Sequence, residues 1–195
     1  MRNIAFLTLS DNVFTKNYIE ELLRVGDFKI TIIAFHNTRW AEFYKKHRIR
    51  YIYVPRGYLA NHYQRGDCIQ YIKALIFIFL NRGKYDFIHV QSVRENSLKH
   101  AKLLMGRRGK LILTYWGGDI FSKTHEEFMR EKSYLDCAYK INVLKDEMRD
   151  ILDQKYHFAF HDKCRVFSFG NTNIGIMKRY LGKYGKNRVK RIARK

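Results

Sequence analysis

The chain has 195 residues, 46% hydrophobic and 15% aromatic, enough apolar content for one folded domain with a sizeable core. A single proline and 12 glycines exclude collagen-like and low-complexity classes, and no internal repeat of solenoid period is present. Thirty-eight Lys and Arg against 18 Asp and Glu leave a formal charge of +20, which points to a polyanionic partner: nucleic acid, an anionic membrane surface or phosphorylated substrates.

Asn3 to Leu9 reads as a first strand, too short an apolar run for a signal peptide. A loop at Ser10-Asp11-Asn12 leads into a helix over Val13 to Val25 with Ile19, Leu22 and Leu23 on its inner face. Phe28 to Phe35 is a second strand, Trp40 to His47 a short helix, and Ile49 to Val54 a third strand closed by the turn signal Pro55-Arg56-Gly57. Strand and helix alternate from the start, which predicts right-handed crossovers and a parallel sheet. After a loop rich in Tyr, Asn and His, Asp67 to Asn81 reads as a helix apolar on nearly all sides. Two readings stand for it: burial under other elements, or partial insertion into a membrane surface with Arg65, Lys73, Arg82 and Lys84 as headgroup contacts. Its most apolar run, Ala74 to Leu80, is far short of the ~20 residues that cross a bilayer.

Lys84 to Phe121 reads as a complete strand, helix, strand unit ending in a glycine loop. Phe87, Ile88 and Val90, and then Leu111, Ile112, Leu113 and Tyr115, are apolar runs without alternation, the pattern of strands buried on both faces. Ser92 with Glu95 predicts a capping box, and Leu98, Ala101, Lys102 and Met105 a stripe lying on the sheet, with Gly106 and Gly109 stopping the helix. The loop Trp116-Gly117-Gly118-Asp119 then falls at a strand's carboxyl end, the edge where ligands bind in open α/β sheets. Beyond it, Ser122 or Thr124 caps a helix reaching Leu135, Thr124 pairing with Glu127 in a second capping box. Ala138 to Leu144 is a strand, Lys145 to Tyr156 a charged helix, and Cys164 to Phe169 a last strand ending at Gly170-Asn171-Thr172. The sum is an α/β fold: a Rossmann-like doubly wound parallel sheet of about seven strands in a single domain. Arg179 to Lys195 holds eight Lys or Arg and no acid, a solvated tail or frayed helix.

Cys68, Cys137 and Cys164, odd in number and far apart, fit reduced core thiols of a cytosolic protein. The absence of GxGxxG after the first strand, of GxxxxGK[ST] and of GxSxG argues against dinucleotide dehydrogenases, P-loop enzymes and α/β-hydrolases. Tyr51, Tyr53, Tyr58 and Tyr63, interleaved with Arg48, Arg50, Arg56 and Arg65, form a face for nucleic-acid stacking or for sugar or lipid contact. No RNA-binding motif supports the first, so nucleic acid is not expected.

Tyr85-Asp86-Phe87-Ile88-His89, a helix, and then Lys110-Leu111-Ile112-Leu113-Thr114 running into Trp116-Gly117-Gly118-Asp119-Ile120-Phe121 resembles the N-terminal, acceptor-side domain of GT-B glycosyltransferases, family 4 especially. Val166 to Asn171 is similar to the end of that domain, just before the linker to a donor-binding domain. The resemblance implies a domain over 1–178, with 179–195 a basic tail or the start of the linker. It implies transfer of a sugar from a nucleotide-sugar donor to a glycan or lipid-linked acceptor in envelope or capsular polysaccharide synthesis, at the cytosolic face of an anionic membrane. No cofactor or metal is expected, and a donor-binding domain of about 150 to 200 residues is expected to complete the enzyme.

Glycosyl transfer needs a group that activates the acceptor hydroxyl. Asp119 is the candidate, as catalytic base or acceptor contact, since Gly117 and Gly118 allow close backbone approach and a helix N-terminus follows. The plain alternative is that Asp119 caps that helix. His89, Trp116, Gly117, Gly118, Ser10 and Asp11 are the candidates for acceptor or substrate binding. His89 equally fits a hydrogen-bonded core residue. Trp116 stands where many relatives have histidine, and Ser10-Asp11-Asn12 replaces the family's usual glycine pair. The rival function is a binding module: a non-catalytic acceptor or membrane-binding subunit of a two-chain transferase, or a basic nucleic-acid-binding protein.

Overall fold

In chain order the elements are β1 (Arg2–Thr8), α1 (Val13–Val25), β2 (Phe28–Ala34), α2 (Ala41–Lys46), β3 (Arg50–Tyr53), α3 (Arg65–Leu80), β4 (Phe87–Gln91), α4 (Glu95–Leu104), β5 (Lys110–Thr114), α5 (Gly118–Phe121), α6 (His125–Asp136), β6 (Ala138–Val143), α7 (Asp146–Tyr156) and β7 (Cys164–Val166). They are seen in a computed structural model that describes residues 2–8, 13–35, 38–55, 65–107 and 109–167, the side chains of 65–67 excepted. Ser10, Asp11, Tyr58, Tyr63, Gly170-Asn171-Thr172 and the basic tail lie outside the described residues.

The strands pair in the order β3-β2-β1-β4-β5-β6-β7, every pair parallel. The chain winds one way from β1 to β3, crosses back through α3, and winds the other way from β4 to β7, the doubly wound Rossmann-like topology that the alternation predicts. Right-handed crossovers put α1 and α2 on one face and α3, α4, α6 and α7 on the other. Two cores follow. Ile4, Phe6, Ile30, Ile32 and Tyr44 form one under α1 and α2. Ala5, Leu7, Ile33, Ile88, Val90, Leu98, Leu113 and Ile141 form the other. Successive residues of one strand thus go to opposite cores, so the strands read as unbroken apolar runs.

Several local expectations change. Ser92 does not cap α4: the helix starts at Glu95, its flanking residue Arg94 makes no side-chain cap bond, and Ser92 sits in a left-handed turn at φ 73°. The buried face of α4 is Ser97, Leu98, His100, Ala101 and Leu104, while Lys102 is exposed and Met105 has left the helix in extended conformation. Gly106 is therefore no helix cap. It passes against Gly83 so closely that a Cβ on Gly106 would stand 2.4 Å from the Gly83 Cα. Gly83, at φ 75°, donates its N–H to Leu104 O at 2.9 Å. The second capping box does form: Thr124 Oγ1 accepts from the Glu127 N–H, and Glu127 Oε2 from the Thr124 N–H.

The helix read as apolar on nearly all sides is buried on one face and open on the other. α3 buries Ala74 and Ile78 but leaves Ile69, Ile72, Ile76, Phe79 and Leu80 each at least 50% exposed. Of the three cysteines only Cys164 is a core thiol; Cys137 is exposed and Cys68 partly so. β7 spans Cys164–Val166, and of the rest of the expected strand Ser168 and Phe169 lie outside the described residues.

The Gly83 and Gly106 contact yields a direct test. Gly106→Ala is expected to cost about 1–3 kcal/mol, the usual penalty of overpacking, read from the urea midpoint. Gly118→Ala, whose Cβ would meet nothing within 4 Å, should stay within about 0.5 kcal/mol of the parent.

Candidate functional site

At the carboxyl edge β4 and β5 end side by side, Gln91 in register with Thr114, and the loop after each turns towards the other. The β4–α4 loop carries Ser92 at positive φ, which takes Val93 out of the ladder and leaves it short of α4. Val93 is fully buried, and a buried peptide outside regular structure must find partners for both its polar groups. Asp119 and Lys123 supply them. Asp119 Oδ2 accepts from the Val93 N–H at 2.8 Å, and Lys123 Nζ donates to Val93 O at 3.0 Å.

The other oxygen of Asp119 holds its own loop. Oδ1 accepts from the Trp116 N–H at 2.7 Å and the Gly117 N–H at 3.0 Å. Gly117 sits at φ 108°, a conformation that requires glycine, and its carbonyl accepts from both Ile120 and Phe121. Asp119 lies inside the four-residue α5 rather than before it, so its carboxylate reaches backwards and caps no helix in the expected sense. With 3% exposure, burial pushes its carboxyl above the ordinary range, while the N–H groups and Lys123 pull the other way.

Beneath this loop lies a buried ion pair. Lys123 and Glu131 are 7% and 3% exposed and 2.5 Å apart. The ammonium stands 4.8 Å from the Tyr115 ring centre, and Tyr115 Oη donates to Glu131 at 3.4 Å. Burial opposes both charges, lowering the lysine pKa and raising that of the glutamate, and each partner offsets part of the other's shift.

Together these groups wall a cavity of about 390 Å³ between the start of α4 and the α5–α6 segment. Its walls hold Arg94, Lys123 and Arg130 against Glu95, Asp119, Glu127 and Glu131. Such near balance, dense in donors and acceptors, suits a neutral polyhydroxyl ligand better than a polyanion. Gly118 lines it, exposed and with open space where a Cβ would be.

The remaining candidates fall elsewhere. Trp116 is half-buried, its ring 5.6 Å from that of Phe14 at the start of α1. His89 is 3% exposed inside the sheet on the α1 face, its Nε2 bonded to Thr114 Oγ1 at 2.7 Å, its ring 5.2 Å from Phe6 and 5.5 Å from Tyr18. It is not among the cavity's walls. Burial lowers its pKa to about 3, so the ring stays neutral. Sequence reading missed Lys123, Glu131, Arg94 and Arg130. One signal was available for Glu131: with Phe128 and Leu135 it lies on the buried stripe of α6, and an acid on an apolar stripe needs a partner.

A family described as glycosyl transferase 4-like matches residues 3–148. The chain belongs to this family. No curated protein matches it closely enough to add more. Among solved structures, it is similar to HepE from Anabaena, in complex with UDP and glucose, at TM-score 0.57 and 12% identity over 93% of this chain and 50% of that one. It is also similar to MurG of Acinetobacter baumannii, at TM-score 0.53 and 8% identity over 88% and 46%. UDP-GlcNAc 2-epimerase from Methanocaldococcus jannaschii scores 0.53 with 16% identity over 96% and 51%. These likenesses show the fold: one Rossmann-like half of a GT-B arrangement. The glycosyl transferase 4-like chain spans about half the length of each. The family match takes in every wall residue of the carboxyl-edge cavity.

The neutral His89 sets a pH dependence. Its folded pKa of about 3 lies below the ordinary 6.5, so the unfolded chain takes up a proton that the folded chain refuses. Stability is full above about pH 6.5 and falls as pH drops towards 3. His100, also shifted down by burial, adds to the same slope. Thermal melts across this range should show the fall, and His89→Gln should flatten it; an unchanged slope would refute the assignment.

Proposed function

We propose that this chain is the acceptor-binding half of a glycosyltransferase that moves a sugar from a nucleotide-sugar donor to a glycan or lipid-linked acceptor in envelope or capsular polysaccharide synthesis. The carrying observation is the charge-balanced cavity at the carboxyl edge, in a family member whose fold spans half of HepE. HepE bound to UDP-glucose supports the donor class. A donor-binding half, on the same chain or another, closes the cleft over the acceptor and excludes water.

Within the cavity Arg94 and Arg130 orient acceptor oxygens, and Gly118 leaves room for a sugar ring. A carboxylate offers about four lone-pair sites, of which Asp119 spends three on backbone N–H groups. The fourth accepts the acceptor's hydroxyl proton, and burial raises the proton affinity as a base at neutral pH requires. The three N–H bonds favour a second reading, in which Asp119 acts only by holding the two loops in place.

The test pairs the chain with a donor-binding domain and follows labelled transfer. The chain alone is expected to give none. Asp119→Asn sets an amide N–H₂ against at least one backbone N–H, so it should lose about 1–3 kcal/mol of stability in either reading. Turnover per folded molecule separates them: a loss of about 10² to 10⁴-fold supports the base, and unchanged turnover leaves only the clamp.

The acceptor's lipid linkage fits peripheral binding at the inner face of an anionic membrane. No helix among the described residues is long and apolar enough to cross one. The exposed row Ile69, Ile72, Ile76, Phe79 and Leu80, bordered by exposed Lys73, Arg82 and Lys84, supports α3 as the contact. Phe79→Asp should weaken flotation with anionic vesicles about tenfold or more. Binding by the parent should fade as salt shortens the Debye length below roughly 8 Å. Equal flotation of parent and variant would remove α3 from the contact.

A further inference from the structure

The opposite edge of the sheet carries a second cavity, about 300 Å³, below the C-terminal end of α3. The strands start here, so it lies about 20 Å from Asp119, the rise of a six- or seven-residue strand. Its chemistry is unlike that of the first. Lys29, Arg48, Arg50 and Lys84 wall it, and no Asp or Glu does. None of the four is ion-paired among the described residues, although the surface has acids to offer.

Four like charges around one hollow repel each other, and the free energy of bringing them together is offset when an anion fills it. The placement of each is fixed by the fold. Lys29 is the second residue of β2 and Arg50 the first of β3, Thr31 lying beside Arg50 in register. The Arg50 guanidinium lies 5.3 Å from the Phe77 ring centre, which aims it. Arg48 closes the turn after α2, its N–H bonded to Lys45 O at 3.1 Å. The floor is polar. Thr31 and Tyr85, 5% and 7% exposed, share a hydrogen bond between their hydroxyls. A pair of hydroxyls has two protons and uses one between them, so the second remains for a ligand. The α3 C-terminus adds a partial negative charge of roughly half a unit, which four full charges outweigh.

We infer that this amino-edge cavity binds a phosphate group, through Lys29, Arg48, Arg50 and Lys84. Phosphate fits because three or more acceptor oxygens meet cations and a hydroxyl in a hollow too small for a polymer. Two sources share this chemistry: a soluble phosphate ester and the headgroup of an anionic phospholipid. Lys84 follows Phe79 and Leu80, 73% and 63% exposed, so a lipid phosphate would reach the cavity from the bilayer that α3 meets. The site stands apart from the transferase reading and needs neither donor nor acceptor.

The test uses the full 195-residue chain. Calorimetric titration with glycerol 3-phosphate probes the soluble source. Vesicles of phosphatidylcholine with and without phosphatidic acid probe the lipid. The double variant Lys29→Gln with Arg48→Asn removes two walls; Lys132→Gln with Lys145→Gln removes the same charge elsewhere. Melting temperatures check both, and Lys84→Gln gives an independent second variant should the first fold poorly. The cavity variants are expected to lose about tenfold or more in affinity and the distant pair about twofold or less. Saturable glycerol 3-phosphate binding with this dependence assigns a soluble phosphate ester; the same dependence on phosphatidic acid vesicles alone assigns a lipid phosphate. Equal losses in the two double variants, or no saturable binding to either probe, would overturn the site.

Discussion

The Val93 peptide belongs to neither the β4 ladder nor the α4 helix, and the architecture of the carboxyl edge follows from satisfying it. A buried backbone group left unpaired costs about 1–3 kcal/mol. The N–H takes Asp119 and the C=O takes Lys123, two residues four apart on the neighbouring segment. Each then imports a further requirement. Asp119 is a buried carboxylate that needs more donors than one peptide offers, so the Trp116 and Gly117 N–H groups turn inward, and Gly117 must adopt positive φ to allow it. Lys123 is a buried cation that needs a counter-charge, which Glu131 provides from the apolar stripe of α6.

The consequence is a loop pair joined by charge-assisted bonds rather than by apolar contact. A buried ion pair adds little net stability compared with apolar replacement, yet removing one partner costs about 3–5 kcal/mol. Its value here is geometric. The β4–α4 and β5–α5 loops come from adjacent strands of one winding half, beside the β1–β4 seam where the winding reverses, and nothing in the sheet itself fixes their separation. Asp119 and Lys123 fix it, and the cavity between the loops inherits that rigidity.

Legibility in the sequence tracked the range of the interactions. Strand and helix alternation, seven strands and the Thr124–Glu127 box were readable, because each depends on residues within a turn of one another or on an unbroken apolar run of strand length. The Ser92–Glu95 box has the same local spelling as Thr124–Glu127, and it fails for a non-local reason: Asp119, 26 residues further on, takes the Val93 N–H, while Ser92 donates its own N–H to Thr114 O across the sheet. Gly106 misled in the same way, its cause being Gly83 and not the helix it follows. Asp119 was legible as special from its glycine loop. That its carboxylate serves the backbone of two loops was not, since no spacing in the sequence encodes a contact with Val93. His89 read equally as a cleft residue and as a hydrogen-bonded core residue, because the carboxyl end of a strand is near the loops while one residue in two on that strand faces the core beneath α1, where His89 bonds Thr114.

Charge is distributed against the sum. A chain of formal charge +20 would be expected to carry its excess wherever a ligand binds, yet the carboxyl-edge cavity is nearly balanced and even richer in acids, and the amino-edge cavity holds four cations and no acid. Screening makes this division meaningful. At physiological ionic strength exposed charges act over roughly 8 Å, well short of the ~20 Å between the two edges. The cations at one edge therefore neither attract a ligand to the other nor perturb the pKa of Asp119 there, whose shift comes from burial and from groups within its own loop pair. A parallel sheet makes the separation possible: it sends every βα loop to one edge and every αβ loop to the other. The two chemistries can thus vary independently on one scaffold.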